Sequence, residues 1–152
     1  MSKGGPELLE DPVARELLES TIPARLAYVW KDGTPRVVPI WFHWTGSEIV
    51  MGTPPLAPKL HALETGDRVA ITIDGNEWPY KALTVRGSAT VTEHGGVASE
   101  YAAAAVRYFG PEQGEAWVAQ FPPDMRMYRI AVRPDVVTIV DFETRFPSAL
   151  QS

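Results

Sequence analysis

Apolar residues along much of this chain recur at every second position, interrupted by short stretches with helical spacing. Residues 1–10 read as a frayed start. Asp11-Pro12 then opens a helix, because Asp accepts from free backbone N–H groups and Pro tolerates the first helical position. The helix is predicted to run to about Ser20, with Val13, Leu17 and Leu18 on its buried side and Thr21-Ile22-Pro23 as its stop. Residues 24–31 (ARLAYVWK) and 35–44 (PRVVPIWFHW) read as strands about an Asp32-Gly33 hairpin turn. The second strand is apolar on both faces, so both are expected to be covered. Pro39 inside it has no N–H for a ladder, which marks an edge, a bulge or a ligand-facing stretch. Thr45-Gly46-Ser47 turns the chain into a strand over 48–53.

A short helix is predicted over 58–65, ended by Gly66, with Leu60 and Leu63 toward the core. Residues 67–74 alternate, with Val69, Ile71 and Ile73 on one face, and 75–79 form a loop. In residues 84–92, Val85, Ala89 and Val91 alternate with Arg86, Ser88, Thr90 and Thr92. Gly95-Gly96 opens a helix carrying Val97, Tyr101, Ala105 and Tyr108, which Gly110-Pro111 breaks. A further helix over 111–121 ends at Pro122-Pro123. Strands over 125–133 and 136–141 follow, joined by Arg133-Pro134-Asp135. Strands in hairpin-linked runs with helices between the runs do not make a doubly wound parallel sheet. About seven strands with three or four short helices suggest a mainly β domain over 11–152, an antiparallel barrel closed on itself with helices plugging its ends.

Composition removes several function classes. At 152 residues, one domain is expected. Fourteen Lys and Arg against nineteen Asp and Glu give a net charge of −5, a poor match to nucleic acid. With no cysteine there is no disulfide, Cys-ligated metal, iron–sulfur cluster or thiol nucleophile. No apolar run reaches the length of a membrane span, and the polar start lacks the core of a signal peptide. A soluble, cytoplasmic protein is expected, with no nucleic-acid or membrane partner.

The three histidines, His43, His61 and His94, never lie three or four apart, so no local zinc motif forms and no metal site is expected. His94 reads as a turn residue, His61 as solvent-facing, and His43 as a half-exposed sheet histidine. No Ser sits in a G-x-S-x-G turn, and no glycine-rich phosphate fingerprint occurs. What remains is an anion site. Met51-Gly52-Thr53 ends a strand, and Lys59 lies in the first turn of the following helix. Together they offer a hydroxyl, free backbone N–H groups and a positive charge. Trp41, Trp44 and Trp78 sit beside loops or an edge-like strand, where they either pack the core or wall a planar cofactor.

Short strings in order along the chain carry a resemblance: ARLA at 24–27, DGTP at 32–35, PIWF at 39–42, KLHAL at 59–63, RVA at 68–70 and VRG at 85–87. The chain resembles the pyridoxamine 5′-phosphate oxidase-like superfamily, which includes flavin- and deazaflavin-dependent oxidoreductases. The likeness is good over about residues 20–92 and looser over the final strands. It implies an FMN-binding split β-barrel and a homodimer with cofactor between two barrels. By position, it implies that Val38, Pro39, Ile40 and Trp41 line the tricyclic ring. Met51, Gly52 and Thr53 would lie under the ribityl chain and phosphate. Pro58 and Lys59 would belong to the phosphate turn, with Lys59 as the cation, and Trp78 and Tyr80 would help to close the site. Relatives often carry arginines around that lysine. Here the neighbours are Ala57, Pro58, Leu60 and His61, which leaves Arg36 or Arg68 as possible helpers.

The resemblance implies a flavin-dependent oxidoreductase that transfers hydride to or from a small organic substrate, with FMN as cofactor. The deazaflavin coenzyme F420 is the alternative, and its polyglutamate tail suits a more basic groove. A cofactor-carrying protein without turnover, or a haem-binding split barrel using His43 or His61, is the reading of another class. No residue is assigned as a catalytic acid or base, and Tyr80 and His43 are the candidate proton sources. The tail Thr144-Arg145-Phe146-Pro147 does not match the arginine segment of true pyridoxamine phosphate oxidases, so that substrate is not carried over.

Overall fold

Asp32-Gly33 reverses the chain as its residue types predict. Gly33 takes φ 83°, Trp30 N–H donates to Thr34 C=O at 2.8 Å, and the Asp32 carboxylate accepts from Thr34 N–H at 3.0 Å. The turn joins β2 (Ala24–Val29) to β3 (Pro35–Ile40) in the computed structural model, which describes residues 1–150. The other strands are β1 (Ser2–Gly4), β4 (His43–Trp44), β5 (Ile49–Thr53), β6 (Arg68–Asp74), β7 (Lys81–Gly95) and β8 (Arg126–Asp141). All pair antiparallel in the order β3-β2-β6-β7-β8-β5-β4, with β1 added to β8. This is the mainly β, split-barrel fold that the sequence predicts.

Its closure differs from the expectation. The two ends of the sheet, β3 and β4, do not pair with each other among the described residues; the segment Trp41-Phe42 links them. The single strand expected over 35–44 is therefore two. β3 is an exposed edge, not a strand covered on both faces: Val37 is 66% accessible, while Val38 and Ile40 pack against the core. An edge is where a proline costs no ladder bond.

The two strands expected at the end of the chain are one 16-residue strand, β8. Pro134 does not turn the chain. Arg86 pairs with Val136 and Gly87 with Pro134, so Asp135 is the extra residue of a bulge. A Cβ on Gly87 would lie 2.1 Å from the Arg133 carbonyl oxygen, so only glycine fits there. The bulge lets two long strands bend and serve both halves of the barrel. Leu26, Phe42, Ile49, Ile71, Leu83 and Ile139 are among the fully buried side chains between them.

Among the described residues, three α-helices cover the sheet: α1 (Pro12–Leu18), α2 (Ser99–Phe109) and α3 (Pro111–Ala119). Asp11 caps α1 by accepting from Val13 N–H at 2.9 Å, and Leu17 and Leu18 are buried. The helix expected over 58–65 is only a 3-10 turn, Pro58–His61, closed by Ala62 N–H donating to Lys59 C=O at 3.2 Å. The first ten residues, expected to be frayed, form β1 and a 3-10 turn (Pro6–Glu10) that buries Leu9. The chain end returns to them. Asp141 is 2% accessible and accepts from Arg145 Nε at 2.8 Å, while Arg145 Nη1 reaches Asp11 at 2.7 Å. No helix among the described residues is long and apolar enough to cross a membrane.

Candidate functional site

β5 is buried along its whole length, with the core on one face and α2 on the other. Gly52 permits that second contact. A Cβ there would lie 2.9 Å from the Tyr101 Cβ and 2.8 Å from Met127 Sδ. The strand delivers Thr53 at its end. The chain then passes Pro54 and the Pro58–His61 turn, which carries Lys59. Thr53, Pro54 and Lys59 line a cavity of about 350 Å³ with Gly52, Ile40 and Trp41. Tyr101 from α2 and Trp117 from α3 complete it.

The electrostatics of this cavity rest on Lys59. Its side chain is half-buried, and burial pushes its pKa below the ordinary 10.5. No carboxylate or other hydrogen-bond partner meets its ammonium among the described residues. The arginines considered as helpers are committed elsewhere: Arg68 forks onto Asp135, and the Arg36 guanidinium lies 4.9 Å from the Trp30 ring. Arg107 donates to the Ser20 and Phe42 carbonyls, and Arg129 pairs with Glu100 at 2.7 Å. The ammonium is thus unpaired and partly desolvated, in a cavity that it shares with the strand-end hydroxyl of Thr53.

The wall is aromatic. Trp41 stacks on Tyr108 at 5.0 Å with 15° between planes and meets Phe109 edge-on at 4.9 Å. Tyr101 and Trp117 lie 5.8 and 6.4 Å from it, centroid to centroid. α2 is held against this segment by Arg107 and by the Tyr108 hydroxyl, which donates to Ile22 C=O at 3.1 Å. α3 lies tight on α2, since a Cβ on Gly114 would fall 2.6 Å from Val106 Cα.

Of the residues singled out in the sequence, Ile40, Trp41, Gly52, Thr53 and Lys59 converge on this cavity. Val38 packs on the core and Pro39 is exposed on β3. Met51 is fully buried beneath the site, and Pro58 starts the turn from its exposed side. Trp78 and Tyr80 are elsewhere, in an exposed cluster with Phe142 at 5.6 and 5.8 Å. Neither candidate proton source lines the cavity. His43 is half-buried on β4, its pKa lowered first by burial and then by Arg107, and Tyr80 stands in the Trp78 cluster. His61 is exposed, and His94 Nδ1 meets Gly96 C=O at 3.3 Å. No group of three His, Asp or Glu side chains able to hold a metal occurs among the described residues. Tyr101 and Trp117 escaped the sequence reading because Tyr101 fits a helical core stripe. The crowding of Tyr101, Tyr108, Phe109, Trp117 and Phe121 on two adjacent helices is the signal that marks them.

The model of the family described as pyridoxamine 5′-phosphate oxidase matches residues 11–140, most of the chain. The chain belongs to that family. No curated protein sequence matches it. Among solved structures, one described as an F420 reductase is 27% identical with a TM-score of 0.63, over 82% of this chain and 94% of that one. A conserved hypothetical protein from Mycobacterium tuberculosis is 17% identical with a TM-score of 0.68, over 88% and 86%. HutZ, described as a haem storage protein from Vibrio cholerae, is 19% identical with a TM-score of 0.57, over 83% and 92%. The last two show that the split-barrel fold of the family is shared.

Proposed function

We propose that this protein is an oxidoreductase that binds FMN in the Lys59 cavity and passes hydride to or from a small organic substrate. The observation that carries the reading is the Lys59 ammonium, half-buried without a partner beside the Thr53 hydroxyl and an aromatic wall. These residues fit a phosphate-bearing planar group. Lys59 and Thr53 suit the phosphate, and Ile40 and Trp41 suit the ring. Bound there, the flavin would supply the redox chemistry. The chain's own part is to anchor the phosphate through Lys59, to set the ring against Ile40 and Trp41, and to keep water from that face. Val29 and Val37, 56% and 66% accessible on the β2–β3 edge, are the surface a second copy would cover in a homodimer.

The deazaflavin F420 is the second reading, and one observation favours it. The relative at 27% identity is described as an F420 reductase. The test is the absorbance spectrum of the purified protein with excess FMN or F420, followed by reduction of test acceptors by the reduced holo-protein. Binding with turnover supports the reading. Binding without turnover leaves a cofactor carrier, and a Soret band would leave a haem protein.

A further inference from the structure

Trp41-Phe42 links β3 to β4, the two ends of the sheet that do not pair with each other among the described residues. The two side chains part there. Phe42 is fully buried in the core, and Trp41 is half-buried in the wall of the Lys59 cavity. Arg107 of α2 meets this segment from outside. Its guanidinium donates through Nη2 to Phe42 C=O, and through Nε to Ser20 C=O at 3.0 Å, just past the end of α1. Neither carbonyl accepts from a backbone N–H among the described residues. The guanidinium also lies 4.7 Å from the Phe42 ring and 4.9 Å from the Tyr108 ring, and Tyr108 is the ring on which Trp41 stacks. Arg107 thus stands where ladder bonds are missing, and it grips both the backbone beside Trp41 and the ring against Trp41.

We propose that Arg107 is a positioning residue, which sets the Trp41 indole for the ring of the cofactor by holding the Phe42 carbonyl and the Tyr108 ring. An arginine suits the task, because its planar fork reaches two carbonyls at once while it stacks on aromatic faces, and a lysine ammonium does not. Without it, two carbonyls lose their partner and the segment carrying Trp41 loses its hold on α2. Arg107 is not among the residues that line the cavity, and Lys59 and Thr53 lie on other elements. Its effect therefore falls on the ring end of the site and spares the phosphate end. The inference rests on the oxidoreductase reading for the word cofactor; the placement of Trp41 is measurable without one.

The experiment reads Trp41 directly, as the fluorescence of each protein minus that of its Trp41→Leu counterpart. In Arg107→Met this emission is expected to move to the red and to open to acrylamide quenching. Arg107→Lys keeps a charge and a donor, so a smaller change of the same kind is expected, and it takes the place of Arg107→Met if that variant does not fold. Arg145→Met breaks another part-buried arginine cluster, at the chain end, and is expected to leave the Trp41 emission as it is. Titration with whichever of FMN and F420 the wild type binds gives the second readout. Arg107→Met is expected to weaken binding about three- to tenfold, but less than about twofold in a Trp41→Leu background, because residues that act through one another are not additive. The rise in melting temperature given by inorganic phosphate is expected to be the same with and without Arg107. Four results overturn the proposal: Trp41 emission unchanged by substitution of Arg107, an equal change in Arg145→Met, an additive loss of cofactor affinity with Trp41→Leu, or a phosphate effect lost along with Arg107. A wild type that binds neither cofactor contradicts the oxidoreductase reading, and the Trp41 emission then decides this proposal by itself.

Discussion

Gly52 and Tyr101 approach so closely that a Cβ on the glycine would stand 2.9 Å from the Cβ of the tyrosine. Strand β5 and helix α2 therefore meet backbone to side chain, and the cavity wall depends on that approach. Gly52→Ala is expected to push α2 outward, to cost about 1–3 kcal/mol, and to weaken cofactor binding. Thermal melts and a cofactor titration check both effects, and a variant unchanged in both would show that α2 yields without consequence.

Lys59 separates stability from function. Its ammonium is partly desolvated with no partner, so the charged form is disfavoured in the folded state. The unfolded chain then binds more protons as pH approaches the ordinary value of 10.5, and this group makes stability rise with pH in that window. Lys59→Met keeps an apolar stem and removes the charge. The variant is expected to melt no earlier than the wild type and to lack that alkaline rise. Inorganic phosphate is expected to raise the melting temperature of the wild type and not of the variant.

Asp141 also makes stability rise with pH, but in the acidic window and through favourable contacts instead of burial. Burial alone would raise its carboxyl, but hydrogen bonds from Thr144 N–H, the Arg145 guanidinium and the Thr144 hydroxyl outweigh burial and hold it well below 3.8. Asp11 is also lowered, chiefly by its bond to Arg145. The stability these carboxylates contribute is fully present above the unfolded value and is lost as pH falls below 3.8 toward the lower folded value. Asp141→Asn is expected to cost about 3 kcal/mol at neutral pH and less than about half of that near pH 2. Urea unfolding at the two pH values measures the difference, and an equal loss at both would contradict the charge argument.

Gly87 is a backbone requirement of the barrel. With the Arg133 carbonyl 2.1 Å from its missing Cβ, Gly87→Ala must open the β7–β8 bulge. A loss on the order of 3–5 kcal/mol is expected, at the upper end for single substitutions. Denaturant unfolding of the variant measures it, and a loss below about 1 kcal/mol would show that the strands bend without needing glycine.

That bulge also shows where the sequence stops being legible. Alternation in 67–74 and 84–92 and the Asp32-Gly33 pair marked β6, β7 and the first hairpin correctly, because each signal is local. Pro134 reads equally well as a turn or as a bulge, and only its pairing opposite Gly87 decides which. The helix expected at 58–65 shrinks to the turn Pro58–His61, because so short a run of apolar spacing does not tell a 3-10 turn from an α-helix. In the site, the hydroxyl and cation of Thr53 and Lys59 were visible as neighbours in the chain. Tyr101 and Trp117 were not, because their place in the cavity with Lys59 is set by how α2 packs on β5 and α3 on α2, contacts that no window of sequence spans. Trp78 and Tyr80 look like site residues in sequence, yet within one chain they join Phe142 instead.

The most direct test of the central claim is a fluorescence titration of FMN and of F420 into the wild type and into Lys59→Met. Binding of one cofactor at micromolar strength or tighter, weakened at least tenfold in the variant, is the expected result. Equal affinity in both proteins, or no binding by either, would contradict a phosphate anchor at Lys59 and the redox function built on it.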